Sequence, residues 1–347
     1  MSRATSSRRA IGVVAAVVAL QALMVTAFAW PATKVEPRDL PVAVAGPASA
    51  ARAFAAQLDR ARPGAFEVTV VPDAAAADRR LRDREAYAAF VLGPPQPEAA
   101  ASQPRSPHGL TGIHVASAAS PAVAQLLSQA SQALVQGRPL PVQDLVAADP
   151  DDPRGAGLAS GLLPLVLTSL LAGVLLAVGV SSRASRLLGL LAYALLAGLA
   201  ATAIIQYGLG ALPGDYLANA AVVGLLTLAM AAAAAGLGAS LGPPGVALAV
   251  LTVFLVGNPL SGLTSAPELL PQPWGAIGQL LPPGAGGTLL RSVSFFHGAG
   301  GAVPARVLAA WAGAGLLLAA IPTASRLRAP SRTRSHGPIP LRPQRAS

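Results

Sequence analysis

Apolar positions in this chain follow two different patterns. In one they run unbroken for roughly 20 residues, the length that spans a hydrocarbon core. In the other they recur in short alternating or helical periods. Six stretches show the first pattern: residues 11–30, 158–180, 187–207, 216–241, 246–263 and 303–324. None carries a charge at its centre, and Arg306 lies at a boundary where a long side chain can reach water. Asn258-Pro259 interrupts the fifth stretch near one end. Ala27-Phe28-Ala29 fits the small-x-small pattern of a signal-peptidase site. The apolar run before it, about 19 residues, exceeds the ~7–15 of a secretory signal. The first stretch is therefore expected to be an uncleaved membrane helix; cleavage would leave five crossings.

The second pattern fills residues 31–157. Residues 40–45, 66–71, 86–92, 111–117 and 141–147 read as strands. Ala51, Phe54, Ala55 and Leu58 recur at helical spacing, residues 74–84 read as a polar helix, and Val123, Leu126, Leu127, Ala130 and Leu134 form another helical stripe. Alternating strands and helices predict a small α/β domain with a mostly parallel or mixed sheet. Residues 93–109 are a proline-rich loop without periodicity.

One stretch fits neither pattern. Residues 258–296 are too proline-broken to span and too apolar to be a free loop. Irregular backbone at membrane depth is tolerated only where it is buried in protein or lines a cavity. A re-entrant or interfacial hairpin is expected at about 264–297, with Glu268 and Arg291 as its only fixed charges. These two, with Asn258 and Pro259, form a candidate outer gate or anchor.

Charge then sets the topology. The net charge is +10, and eleven arginines account for it. Arg3, Arg8 and Arg9 precede the first apolar run, Arg183 and Arg186 lie between the second and third, and Arg326, Arg328, Arg332, Arg334, Arg342 and Arg345 follow the last. No Asp or Glu occurs in those three stretches. Short basic loops mark the cytoplasmic face, so both termini are expected inside and residues 31–157 outside. The tail 325–347 cannot bury a core and is expected to be disordered, its arginines against anionic lipid. The pattern needs no nucleic acid to explain it.

Candidate chemistry is sparse. There is no cysteine, which removes disulfides, iron–sulfur clusters and thiol nucleophiles. Lys34 is the only lysine, and it lies outside any GxxxxGK[ST] loop, so the chain carries no P-loop ATPase of its own. His108, His114, His297 and His336 have no metal-ligand spacing. Ser160 and Asp215 lack the membrane His or second Asp that an intramembrane protease needs. The run of Arg79, Arg80, Arg82, Asp83, Arg84 and Glu85 reads as a solvated helix face. No catalytic residue, metal or cofactor is expected.

Several stretches together resemble the permease subunits of the ABC type-2 exporter superfamily, particularly its phage-infection-protein-like branch. They are a single helix before a large external domain, five further helices, and the outer hairpin with Pro267-Glu268-Leu269-Leu270-Pro271 and Leu280-Leu281-Pro282-Pro283, ending near Arg291. Asp83-Arg84-Glu85-Ala86-Tyr87-Ala88-Ala89-Phe90 and Asp152-Pro153-Arg154-Gly155 look like stretches of actinobacterial membrane proteins of this kind. The resemblance implies a separate ATPase subunit, a homo- or heterodimer of membrane subunits, and an ATPase-facing loop that holds Arg183 and Arg186. The expected fold is thus a membrane all-α six-helix bundle with an inserted extracytoplasmic α/β domain in a bacterial cytoplasmic membrane. Its divisions are a basic cytoplasmic N-terminus (1–10), a first helix (11–30), the α/β domain (31–157), a five-helix region (158–324) and the tail. The expected function is export of an amphipathic or envelope-related substrate. The alternative, motivated by the short cytoplasmic loops, is a non-transporting envelope scaffold whose external domain binds a partner.

Overall fold

A computed structural model describes residues 3–93, 109–134 and 140–321. Most of the proline-rich loop with His108, and the tail 325–347 with His336 and the arginines expected against lipid, lie outside the described residues. The chain opens with α1 (Arg3–Thr33), a 31-residue helix. There follow β1 (Leu40–Ala45), α2 (Ala48–Ala61), β2 (Phe66–Val71), α3 (Ala74–Arg82), β3 (Ala88–Leu92), β4 (Leu110–Val115), α4 (Pro121–Leu134) and β5 (Val142–Asp144). The strands form one mixed sheet in the order β2-β1-β3-β4-β5. β1 is parallel to β2 and β3, β4 is antiparallel to β3, and β5 is parallel to β4. Both faces are covered: Phe54 and Leu127 bury Val42, Val44 and Phe90 on one, while Ala77 and Leu81 bury Ala43, Ala45 and Ala89 on the other. That double burial explains why β1 and β3 read as nearly continuous apolar runs.

The helical part comprises α5 (Ala156–Gly179), α6 (Arg183–Ala203, continued by a π turn at Ile204–Gly208), α7 (Tyr216–Leu241), α8 (Pro243–Val250, continued by a π segment at Leu251–Gly257), α9 (Trp274–Gln279), α10 (Pro282–Phe296) and α11 (Ala302–Ala320). Five helices among the described residues, α1, α5, α6, α7 and α11, are long and apolar enough to cross a membrane. The sixth expected crossing, 246–263, differs: only the shorter apolar helix Pro243–Gly257 forms there. Gly242 breaks the backbone at φ +69° before it, and Asn258-Pro259 ends it. The chain is thus a helical membrane protein that also carries a five-stranded sheet.

α7 is the hub of the helices. Its alanine run, Ala231 to Ala235, is almost wholly buried. Small residues let three neighbours approach it closely, the usual device where lipid supplies no hydrophobic drive. A Cβ on Gly173 of α5 would sit 2.2 Å from the Ala231 carbonyl oxygen. One on Gly198 of α6 would sit 2.5 Å from that of Ala220, and one on Gly315 of α11 would sit 2.4 Å from the Ala232 carbonyl carbon. By contrast, the apolar span of α1 has no buried residues; it touches the rest through Phe28 on Phe254, ring centroids 5.8 Å apart, and Trp30 edge-on to Trp274 at 6.3 Å.

The helices alternate in direction, which gives the molecule two unlike ends. Gly214 meets Ser294, and Thr33 leads directly into the sheet unit, so the loops 208–215 and 258–301 share the end that carries the sheet. Arg183, Arg186 and the end of α11 share the other.

Candidate functional site

The hairpin is held at the seam between the helices and the sheet unit. Its first arm turns at Pro267–Leu269, with Ala266 and Leu269 buried in the core beneath the sheet. Glu36 N–H donates to the Leu269 carbonyl and Arg38 N–H to that of Glu268, each at 3.0 Å. The Ser120 hydroxyl donates to the Ser265 carbonyl at 2.7 Å in a buried bond. Its second arm is α10, begun by Pro282-Pro283, where proline suits the first helical turn. α10 ends with His297 in the left-handed region, φ +51°, and Phe296 enters the core on the other face of the sheet.

At this seam lies a cavity of about 700 Å³. Arg38, Arg84, Tyr87, Glu268 and Arg291 are among its walls. Glu268 accepts a 2.9 Å hydrogen bond from the Tyr87 hydroxyl. Arg84 donates to the Thr288 carbonyl at 2.8 Å and to the Ser292 hydroxyl, and its guanidinium lies 5.2 Å from the centre of the Phe296 ring. Arg291 is 6% exposed and donates to the Leu263 carbonyl. Arg38 pairs with Glu36 and also donates to the Leu269 carbonyl at 3.1 Å. Burial raises the Tyr87 pKa from its ordinary value, helped by the Glu268 charge. Burial lowers that of Arg84, against the opposing pull of Tyr87 and Glu268. It also lowers that of Arg291, with the nearby Arg84 charge adding to the effect.

The six residues singled out from sequence fall in different places. Glu268 and Arg291 line the same cavity but form no ion pair with each other; each has its own partner. Asn258 caps the preceding π segment, and its carbonyl accepts from the Ser261 hydroxyl at 2.7 Å, while Pro259 lies in the turn that follows. Arg183 begins α6 at the opposite end of the molecule and is exposed. Arg186 is 1% exposed; it donates to the Ala319 carbonyl at 3.1 Å and the Val180 carbonyl at 2.9 Å. Of the two loop arginines, only Arg183 presents itself at the surface. The connection between α5 and α6 spans only residues 180–182.

Sequence reading missed Arg84 and Tyr87. Arg84 belongs to a charge run that looks solvated throughout. Its own backbone sets it apart: φ is +59°, a left-handed turn just after α3 that sends the side chain toward α10 and away from the helix face. Nothing in the run Arg79–Glu85 distinguishes that position. A second polar cluster lies nearby. Asn219, fully buried, donates to the Gln206 side chain at 3.1 Å and the Pro213 carbonyl at 2.9 Å, and accepts from the Ser294 hydroxyl at 2.8 Å. Its donors and acceptor are satisfied, so it fastens α6, α7 and α10 together. Among the described residues no three His, Asp or Glu side chains gather as metal ligands. No protein-family model, curated protein or solved structure matches the chain.

Proposed function

We propose that the chain is the permease subunit of an ABC-type exporter in a bacterial cytoplasmic membrane, working with a separate ATPase. The observation that carries this reading is the cavity at the seam. It is built jointly by the sheet unit, the hairpin and α11, so any shift of one against another changes its shape. A substrate held there would be coupled to helix movement, because a ligand shifts a conformational equilibrium only through its different contacts in the two states. In this reading the sheet unit is extracytoplasmic, both termini are cytoplasmic, and Pro243–Gly257 supplies the sixth crossing. That helix, eight α residues followed by seven π residues, is only about 20 Å long. It crosses by leaving the rest of the thickness to the hairpin at one end and the Gly242 turn at the other. The lightly packed α1 offers a free apolar flank for lipid or for a second membrane subunit, giving a homo- or heterodimer.

A second reading has its own support. With only residues 180–182 between α5 and α6, and Arg186 turned inward, little chain is left to receive an ATPase at that loop. A non-transporting envelope scaffold would need nothing there. Purification of the tagged chain from its native host in nanodiscs, with mass spectrometry of co-purifying proteins, separates the two. A stoichiometric ATPase is expected from the exporter. Recovery of envelope proteins alone, under conditions that keep a known exporter intact, rejects it.

A further inference from the structure

We propose that the seam cavity binds an amphiphile with a phosphate headgroup, the headgroup on Arg84 and Arg291 and the apolar part running out along α9 and α11. The proposal names a substrate class for the exporter reading above and rests on it for its physiological meaning. The binding itself does not depend on that reading.

The charge arrangement argues for the headgroup. Arg291 and Ser292 lie three and four positions after Thr288 on α10, so both flank it on the same side of the helix. Arg84 reaches that face from the sheet unit, through Thr288 and Ser292. Two guanidiniums therefore converge on one wall of the cavity. Arg38 has Glu36 as its counterion. Among the described residues neither Arg84 nor Arg291 has a carboxylate within ion-pair distance; their bonded partners are carbonyl oxygens and a hydroxyl. Glu268 and Asp39 also line the cavity; Glu268 accepts from Tyr87 and attracts Arg84, and Asp152, outside this lining, attracts Arg291, so the two guanidiniums are offset only in part and at longer range. Two like charges held close in a half-buried wall repel each other, and a group of charge near −2 placed between them removes the repulsion. A phosphomonoester carries about that charge at neutral pH, and the planar guanidinium fork suits its oxygens.

Another part of the wall argues for an apolar tail: Pro273 and Ala276 of the hairpin and Val303 and Pro304 of α11 also line the cavity. Val303 is 59% exposed, so this wall continues onto the outer surface of α11. Trp274, which follows Pro273 in the chain, is paired edge-on with Trp30, and the Trp311 indole N–H donates to the Leu280 carbonyl at 2.9 Å, fastening α11 to the hairpin. Tryptophans of this kind concentrate where hydrocarbon meets headgroups. Guanidiniums and apolar side chains therefore share one cavity, Arg84 reaching it from the sheet unit and the apolar residues lying on the hairpin and α11, the elements that carry Trp274 and Trp311.

The test is binding to the full chain in nanodiscs of zwitterionic lipid, read from tryptophan fluorescence and checked by native mass spectrometry. The probes are dihexanoyl phosphatidic acid, the matching dihexanoyl glycerol and inorganic phosphate. Saturable binding of one phosphatidic acid per chain is expected, at least tenfold tighter than the glycerol and than inorganic phosphate. Arg84→Gln should weaken it fivefold or more, with Arg84→Lys recovering part of the loss. Ala276→Phe should weaken it by filling the apolar wall without touching the charges, which keeps the proposal open to test should Arg84→Gln fold poorly. Equal affinity for phosphatidic acid and glycerol would overturn the headgroup assignment. Inorganic phosphate binding as tightly as the amphiphile would overturn the apolar part. Failure here would leave an ATPase partnership standing, and absence of an ATPase would leave this binding intact.

Discussion

Arg186 allows a sharp test, because its position turns an expected partner contact into an internal strut. α5 ends at Gly179 and α11 at Ala320, and each helix end leaves carbonyls without intrahelical donors. Arg186 donates to one carbonyl from each end, at Val180 and Ala319. One cation therefore caps two helix C-termini, where positive charge is favoured. A hydrogen bond from a charged donor contributes roughly 1.5–3 kcal/mol, so two contribute about 3–6. Replacing Arg186 with methionine keeps most of the apolar volume and removes the bonds and the desolvated charge together. Part of the loss returns, because a buried cation is costly to hold and the freed carbonyls lie near the end of the bundle, within reach of water. A net destabilisation of about 2–4 kcal/mol is expected for Arg186→Met. Arg183→Ala, at the exposed first residue of α6, should leave stability unchanged. Denaturation by SDS in mixed micelles, followed by circular dichroism, reads both. If Arg186→Met unfolds at the same SDS fraction as the unaltered chain, the strut account is wrong.

Two further predictions concern packing and the seam. Gly198→Ala should destabilise by about 1–3 kcal/mol through overpacking, since its Cβ would press on α7 backbone 2.5 Å away. Gly313→Ala meets nothing within 4 Å and should be neutral or stabilising by up to about 1 kcal/mol; the reverse order in the same SDS assay would refute the glycine contacts. Tyr87→Phe leaves the half-buried Glu268 without its donor and should cost about 1 kcal/mol, the low end for a lost partner of a charged group because cavity water can replace it. It should also speed limited proteolysis in the 36–38 and 264–273 segments, and an unchanged digestion pattern would refute a role in holding the seam.

Much of the architecture was legible because its signals are local. The strands at 40–45 and 66–71 came out residue for residue, since β-branched and apolar runs bounded by Gly, Pro and Asp leave little choice. The four long apolar helices after the first position were legible from hydropathy. The fifth stretch, 246–263, misled because hydropathy does not register what Gly242, the π segment and Asn258-Pro259 do to helix length. The hairpin could be inferred from proline spacing and the rule against free backbone in lipid. Its partners could not, because they lie about 180 to 230 residues away in the chain: Tyr87 for Glu268, Arg84 for Ser292, Arg38 for Leu269. That Arg186 folds back onto the ends of α5 and α11 was not legible for the same reason. A basic turn carries the same charge signal whether its arginines point outward or fold back, and only the approach of α11 decides which.

The most direct test of the account is where the sheet unit and the α5–α6 turn lie relative to the membrane. The chain has no native cysteine, so single cysteines at Asp59, an exposed-face position on α2, and at Arg183 can be labelled without background. With a membrane-impermeant maleimide on intact cells, Asp59→Cys is expected to label at once and Arg183→Cys only after permeabilisation. Labelling of both from the same side would contradict the two-ended arrangement, and the reverse order would contradict the orientation on which the proposed transport depends.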